Sequence, residues 1–143
     1  MTAVAAEAPL PVTSDPDSQG FFEAAERGEL ALRFCCACGH TIHLPMSVCD
    51  QCHSWNTEWR TVRLRGKVYT FTIAERQVHP AFPAPYAVVL VELDDAPEAR
   101  LLSHMPGTPA LHIGMPVEGF FERVQSVNLL RWRPFTDGGN EQP

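Results

Sequence analysis

The chain has no apolar run of membrane-spanning length. Its most apolar short stretch, Ala87-Val88-Val89-Leu90-Val91, falls far below the roughly 20 residues a helix needs to cross a bilayer. Positive charge is also scarce: 11 Lys and Arg stand against 17 Asp and Glu, a formal net charge of −6. Nucleic-acid binding is driven by cations that release phosphate counterions, so this balance argues against a nucleic-acid partner. Residues 1–18 contain no Lys or Arg and lead into no long apolar segment, so they do not read as an export signal. The expectation is a soluble cytoplasmic protein without a membrane partner, in a compartment that keeps thiols reduced. No Gly-rich phosphate loop, His-Glu-x-x-His helix or paired-acid signature is present, and there are no internal repeats. At 143 residues the chain has room for one compact domain and a small module.

What the chain does have is a concentration of cysteine. All five fall between Cys35 and Cys52, and four of them form two Cys-x-x-Cys pairs, Cys35/Cys38 and Cys49/Cys52. Each pair lets one tight turn offer two thiolates, and two facing turns close a tetrahedron around one metal ion. Gly39 follows the first pair, where the turn tends to need positive φ. His53 follows the second, and His is modestly enriched in that conformation. The expected ligands are Cys35, Cys38, Cys49 and Cys52, holding a structural Zn²⁺; iron, bound as in rubredoxin, fits the same donors. Weaker alternatives place Cys36 in the role of Cys35, or His43 or His53 in the role of a cysteine. Two disulfides would require a secreted chain.

Along the chain, residues 1–16 are rich in Ala and Pro without apolar periodicity and read as a disordered leader. A short helix follows, capped at Asp17 or Ser18, with Phe21, Phe22 and Ala25 on one side and a stop at Arg27-Gly28. Phe21 and Phe22 must be covered, by this chain or by a partner. Glu29 to Phe34 alternates as a strand, with Leu30, Leu32 and Phe34 opposite Ala31 and Arg33. Trp55 and Trp59 are expected to shield the metal turns. From Thr61 the pattern is β, with a bulge or bend expected at Gly66 and Tyr69, Phe71 and Ile73 on the face opposite Val68. Tyr86 to Leu93 is apolar on both faces, as a central strand should be. Further strands cover Arg100–Met105, Val117–Arg123 and Val127–Phe135. The fold class is mainly β: an N-terminal helix and metal ribbon over residues 17–60, a five-stranded OB-fold barrel over 61–135, and a flexible tail over 136–143.

The order of these features resembles the DUF35 family. The resemblance is carried by Phe21-Phe22-Glu23-Ala24-Ala25, Arg27-Gly28-Glu29-Leu30, the two cysteine pairs with Pro45 between them, Gly66-Lys67-Val68-Tyr69-Thr70-Phe71-Thr72, Pro85 to Leu93, and Ile113-Gly114-Met115-Pro116-Val117. It covers about Phe21 to Phe135 and departs at the second knuckle, where Asp50 and His53 replace the family's commoner Pro and Gly. The resemblance implies a rubredoxin-like zinc ribbon joined to an OB-fold, in a small non-catalytic subunit of lipid or steroid acyl-CoA metabolism. Its partner would be a thiolase-like or lipid-transfer-protein-like large subunit (an aldolase, thiolase or acyltransferase), in a heterotetramer with acyl-CoA at the shared interface. A MaoC-type enoyl-CoA hydratase is the alternative partner.

Chemistry by this chain alone finds little support in the residues. Cys36 lies between predicted ligands, and a four-thiolate zinc has no open position to activate water. His79 and His104 fall at strand ends, where most histidines are merely solvated. The stiff loop His79–Tyr86 is the candidate contact surface, with Phe82 and Tyr86 as aromatic anchors; Phe21 and Phe22 are the second candidates. The alternative from another class is a single-stranded nucleic-acid binder, since zinc ribbons and OB-folds occur there too. Arg60, Arg63, Arg65 and Lys67 form the basic cluster such a protein would need.

Overall fold

A computed structural model describes residues 7–136 of the chain; residues 1–6 of the expected leader and 137–143 of the expected tail lie outside it. Among the described residues, eight strands and one helix follow in order. Helix α1 (Gln19–Glu26) starts at Ser18, which makes no side-chain cap, and stops as its sequence dictates. Gly28 takes φ +74°, its N–H donates to Ala25 O at 3.0 Å, and Glu29 N–H donates to Ala24 O at 3.0 Å. That pair of bonds is the Schellman termination, which satisfies the last carbonyls and needs a residue tolerant of the left-handed region.

Strands β1 (Leu30–Cys35), β2 (Thr41–Ile42) and β3 (Thr57–Val62) form an antiparallel sheet of order β2-β1-β3. β3 pairs with β1 from Thr57 through Val62, so the ribbon's sheet extends past residue 60. β4 (Arg65–Ala74), β5 (Tyr86–Leu93), β6 (Arg100–Pro106), β7 (Pro116–Val124) and β8 (Val127–Pro134) form the second sheet, of order β6-β5-β4-β7-β8. This sheet curls until its edges meet, and Ser103 Oγ of β6 donates to Leu130 O of β8 at 3.2 Å. β5 occupies Tyr86 to Leu93 between two neighbours, as its two apolar faces require.

Two local expectations are corrected. The bulge lies between Val68 and Thr70 rather than at Gly66. The extra residue, Tyr69, is turned out beneath the Arg100 guanidinium, 3.9 Å from its ring centroid. Because a bulge shifts the alternation by one, Val68 is buried and Phe71 and Ile73 still pack on the same core. Gly66 serves close approach instead: a Cβ there would lie 2.5 Å from Glu92 O and 2.6 Å from Val91 Cγ1. Likewise β1 does not alternate, because Leu30, Ala31 and Leu32 are all buried, covered by neighbouring strands and α1.

Leu30 and Leu32 belong to the same buried cluster as Val68, Val89, Val117 and Trp132. Ribbon and barrel therefore share one core, and each fully buried leucine contributes about 1.5–3 kcal/mol to that union. Helix α1 is a further tie. Ala24 and Ala25 are buried, Asn128 Nδ2 donates to Ala25 O at 3.0 Å, and Arg123 pairs with Glu26 at 2.7 Å. The ion pair is exposed and adds at most about 1 kcal/mol, so the helix is held chiefly by its buried face. Phe21 also packs on the shared core, and its ring meets Phe22 edge-on at 5.2 Å.

Gly66→Ala should force β4 away from β5 and cost about 1–3 kcal/mol as overpacking does, read as a lower urea midpoint. An unchanged midpoint would contradict the close-approach reading.

Candidate functional site

The two cysteine turns are built alike. In the first, Gly39 takes φ +77°, Gly39 N–H donates to Cys35 O at 2.9 Å, and Cys38 N–H donates to Cys35 Sγ at 3.4 Å. In the second, His53 takes φ +62°, His53 N–H donates to Cys49 O at 2.9 Å, and Gln51 N–H donates to Cys49 Sγ at 3.4 Å. β1 delivers the first turn, and β2 returns from it to pair with β1. Cys35 and Cys49 are buried with Ile42 in a small cluster of their own.

The four sulfurs of Cys35, Cys38, Cys49 and Cys52 all lie within 4.8 Å of one another. Cys35 Sγ is 3.5 Å from Cys52 Sγ, and Cys38 Sγ is 3.6 Å from Cys49 Sγ. Disulfide sulfurs would be about 2.05 Å apart, so these are free thiols. A tetrahedral centre with metal–sulfur bonds of about 2.3 Å has sulfur–sulfur edges of about 3.8 Å, and the cluster fits that size. The four cysteines can therefore hold one metal ion. Cys36 stands outside the cluster, its N–H donating to Asn56 O at 2.8 Å, and among the described residues neither His43 nor His53 joins the sulfurs.

The electrostatics of the cluster favour a cation. The Cys38 amide, with help from its neighbours, pulls the Cys35 thiol down to about 6. The Cys38 thiol goes the other way, to about 12: the His40 amide lowers it, but burial and the surrounding thiols outweigh that. Four sulfurs this close cannot all ionise unless a positive charge sits among them. His40 braces the site from outside, its Nε2 3.0 Å from Asp50 and its Nδ1 3.3 Å from Glu98 of the β5–β6 connection.

A second feature opens where helix, ribbon and barrel meet, an apolar groove of about 600 Å³. It gathers all four aromatic candidates from distant parts of the sequence, Phe21 and Phe22 from α1, Phe82 from the Pro-rich loop and Tyr86 from β5. Phe82 is folded back, its ring 5.4 Å from that of His104, which lies 5.0 Å from Tyr86. Burial lowers the His104 and His43 imidazoles from their ordinary range, which favours their neutral forms. Trp59 lines the groove, with Gly20 lying against its ring. Trp55 is 75% exposed and Trp59 faces the groove, which corrects the expectation that the pair covers the metal turns. Arg33 and His43, read from the sequence as a strand position and an alternative metal ligand, line the groove instead; only the meeting of ribbon and barrel encloses them.

The basic cluster is largely committed elsewhere. Arg63 grips Asp95 through Nε at 3.0 Å and Nη2 at 2.7 Å, Arg60 pairs with Glu58, and Arg65 lies over the Phe135 ring at 3.4 Å.

Residues 59–122 match the family model described as the C-terminal OB-fold domain of ChsH2. The chain is similar over 87% of its length to a solved chain of "Ltp2-ChsH2(DUF35) aldolase", with a TM-score of 0.77 and 31% identity, covering 98% of that chain. This chain belongs to the DUF35 family. It is also 32% identical over 101 residues to a DUF35 domain-containing scaffold protein of Methanocaldococcus jannaschii, spanning 64% of this chain and 66% of that protein. A probable enoyl-CoA hydratase alpha subunit of Thermomonospora curvata is 38% identical over 123 residues. The match covers 82% of this DUF35 chain but 37% of that relative. A structure of a DUF35 protein of unknown function from Sulfolobus solfataricus shares the fold, with a TM-score of 0.57 and 18% identity.

Cys38→Ser should yield a metal-poor protein whose ribbon is cut rapidly by protease. Structural zinc binding is worth about 10–16 kcal/mol, against a net domain stability of about 5–15 kcal/mol. Metal analysis and limited proteolysis check it; a metal-free variant as resistant as the parent would contradict a structural role.

Proposed function

We propose that this chain is a non-catalytic accessory subunit of a thiolase-superfamily acyl-CoA enzyme, with a lipid-transfer-protein-like aldolase as its first candidate partner. The cysteine centre holds a structural Zn²⁺ through Cys35, Cys38, Cys49 and Cys52, and the apolar groove forms one wall of the shared substrate channel. The observation that carries this reading is the groove itself. Phe21, Phe22, Phe82 and Tyr86 converge on one open surface that a single small domain has no structural reason to leave uncovered. The aldolase whose DUF35 chain this protein matches over nearly its whole length supports the choice of partner.

Among the described residues, no nucleophile with an adjacent base lines the groove. Tyr86 and His104 meet in it as tilted rings, with no hydrogen bond between them that would make a base–orienter pair, and four thiolates would leave a zinc ion closed to water. The bond-breaking groups then belong to the large subunit. A MaoC-type hydratase partner is the second reading, favoured by the name of the Thermomonospora relative, of which this chain matches only part.

Co-expression with the neighbouring genes, followed by purification through this chain, tests the proposal. The expected result is a co-purifying thiolase-like subunit, thioester turnover by the complex, and none by the small chain alone. Phe82→Ala should keep its metal and weaken the large subunit's binding by about tenfold or more, as loss of an aromatic anchor does. Turnover by the small chain alone would overturn the reading; a co-purifying hydratase would select the second one.

A further inference from the structure

The groove is apolar except for one unanswered charge. Arg33 enters it from β1; its Nε donates to Thr57 Oγ1 at 2.9 Å, and its guanidinium carbon lies 5.6 Å from the Trp59 ring centroid. Its Nη1 is buried and has no hydrogen-bond partner among the described residues. No carboxylate among the described residues comes within ion-pair distance of it, whereas Arg131, the groove's other arginine, is held by Glu122 at 3.0 Å. The guanidinium therefore has no counter-ion, and one of its N–H groups has given up water without gaining an acceptor, which is unfavourable. The Trp59 face recovers only part of that loss.

What would complete the site is an anion. The remaining walls specify the rest of the ligand, because Phe21, Phe22, Leu101 and Leu130 line the groove with apolar side chains. A volume of about 600 Å³ lies within the range of small-molecule sites, about 300–1,000 Å³, whose lining combines apolar walls with a few placed polar groups. We propose that the groove binds an amphipathic carboxylate, its apolar body against the aromatic walls and its acid group on Arg33. The proposal rests on the groove being a ligand-facing surface, and adds that the part of the ligand lodged there bears an acid group and is bound by this chain without its partner.

Calorimetric titration of the metal-loaded full chain at neutral pH tests it, with dodecanoate and dodecanol as probes of equal chain length below their aggregation limits. Dodecanoate should bind at least about tenfold more tightly than dodecanol, a difference of about 1.4 kcal/mol. Arg33→Met, which keeps an unbranched stem and removes the charge, should erase that preference while leaving dodecanol affinity within about twofold. Thr57→Ala keeps the charge and frees the guanidinium from its side-chain partner, so it should retain the preference; its loss there would count against the proposal even if Arg33→Met failed to fold. Equal affinity of the parent for the two probes, binding of neither, or a preference surviving in a folded Arg33→Met would each overturn it. A large subunit that still co-purifies in those cases would leave the accessory-subunit reading standing.

Discussion

The constraint on which the structure depends is the crowding of four cysteine sulfurs at the end of β1. Their mutual approach fixes both knuckle turns, and those turns fix where β1, β2 and β3 begin and end. The ribbon has little else to hold it. Its own buried cluster consists of Cys35, Ile42 and Cys49, and β2 is only two residues long. A sheet this small is marginal in water without further support; that support can come from a metal ion held by the four cysteines at one end and comes from the barrel core at the other.

The barrel's contribution reaches the ribbon through β1. Leu30 and Leu32 sit in the barrel's core, five and three residues before Cys35, so one short strand is anchored by sulfur at its end and by apolar packing at its start. Helix α1 lies across the join, and His40 ties the first knuckle to Glu98. The groove is a consequence of this arrangement: it lies at the seam between two modules held at a fixed spacing, and its walls come from both. A ribbon that loosened would lose Arg33, Ile42 and His43 from one wall while the barrel wall of Tyr86, Val88 and Leu130 stayed in place.

Much of this was legible in the sequence, for reasons that are local. The cysteine spacing identified the four sulfurs because a Cys-x-x-Cys turn is closed within four residues. Gly39 and His53 announced the positive φ of each knuckle, and Gly28 announced the helix stop. Tyr86 to Leu93 revealed itself as a central strand because both its faces are apolar. What was not legible is nonlocal. The bulge at Tyr69 depends on register against β5, which no residue of β4 encodes alone. Trp55 and Trp59 look equivalent in sequence, and only α1 and Gly20 give Trp59 a surface to pack on. Arg33 reads only as a strand position on the face opposite Leu32, since its enclosure needs the ribbon and barrel to meet. The four groove aromatics were each visible, but not their convergence.

Hydrogen exchange of the full chain before and after removal of the metal by a chelator tests the central claim most directly. If the sulfur centre orders the ribbon, the amides of Cys35, Gly39, Cys49 and His53 should lose their protection together with those of β1, while β5 remains protected, and returning Zn²⁺ should restore them. Unchanged protection of β1 and of both knuckles in the metal-free chain would contradict the account.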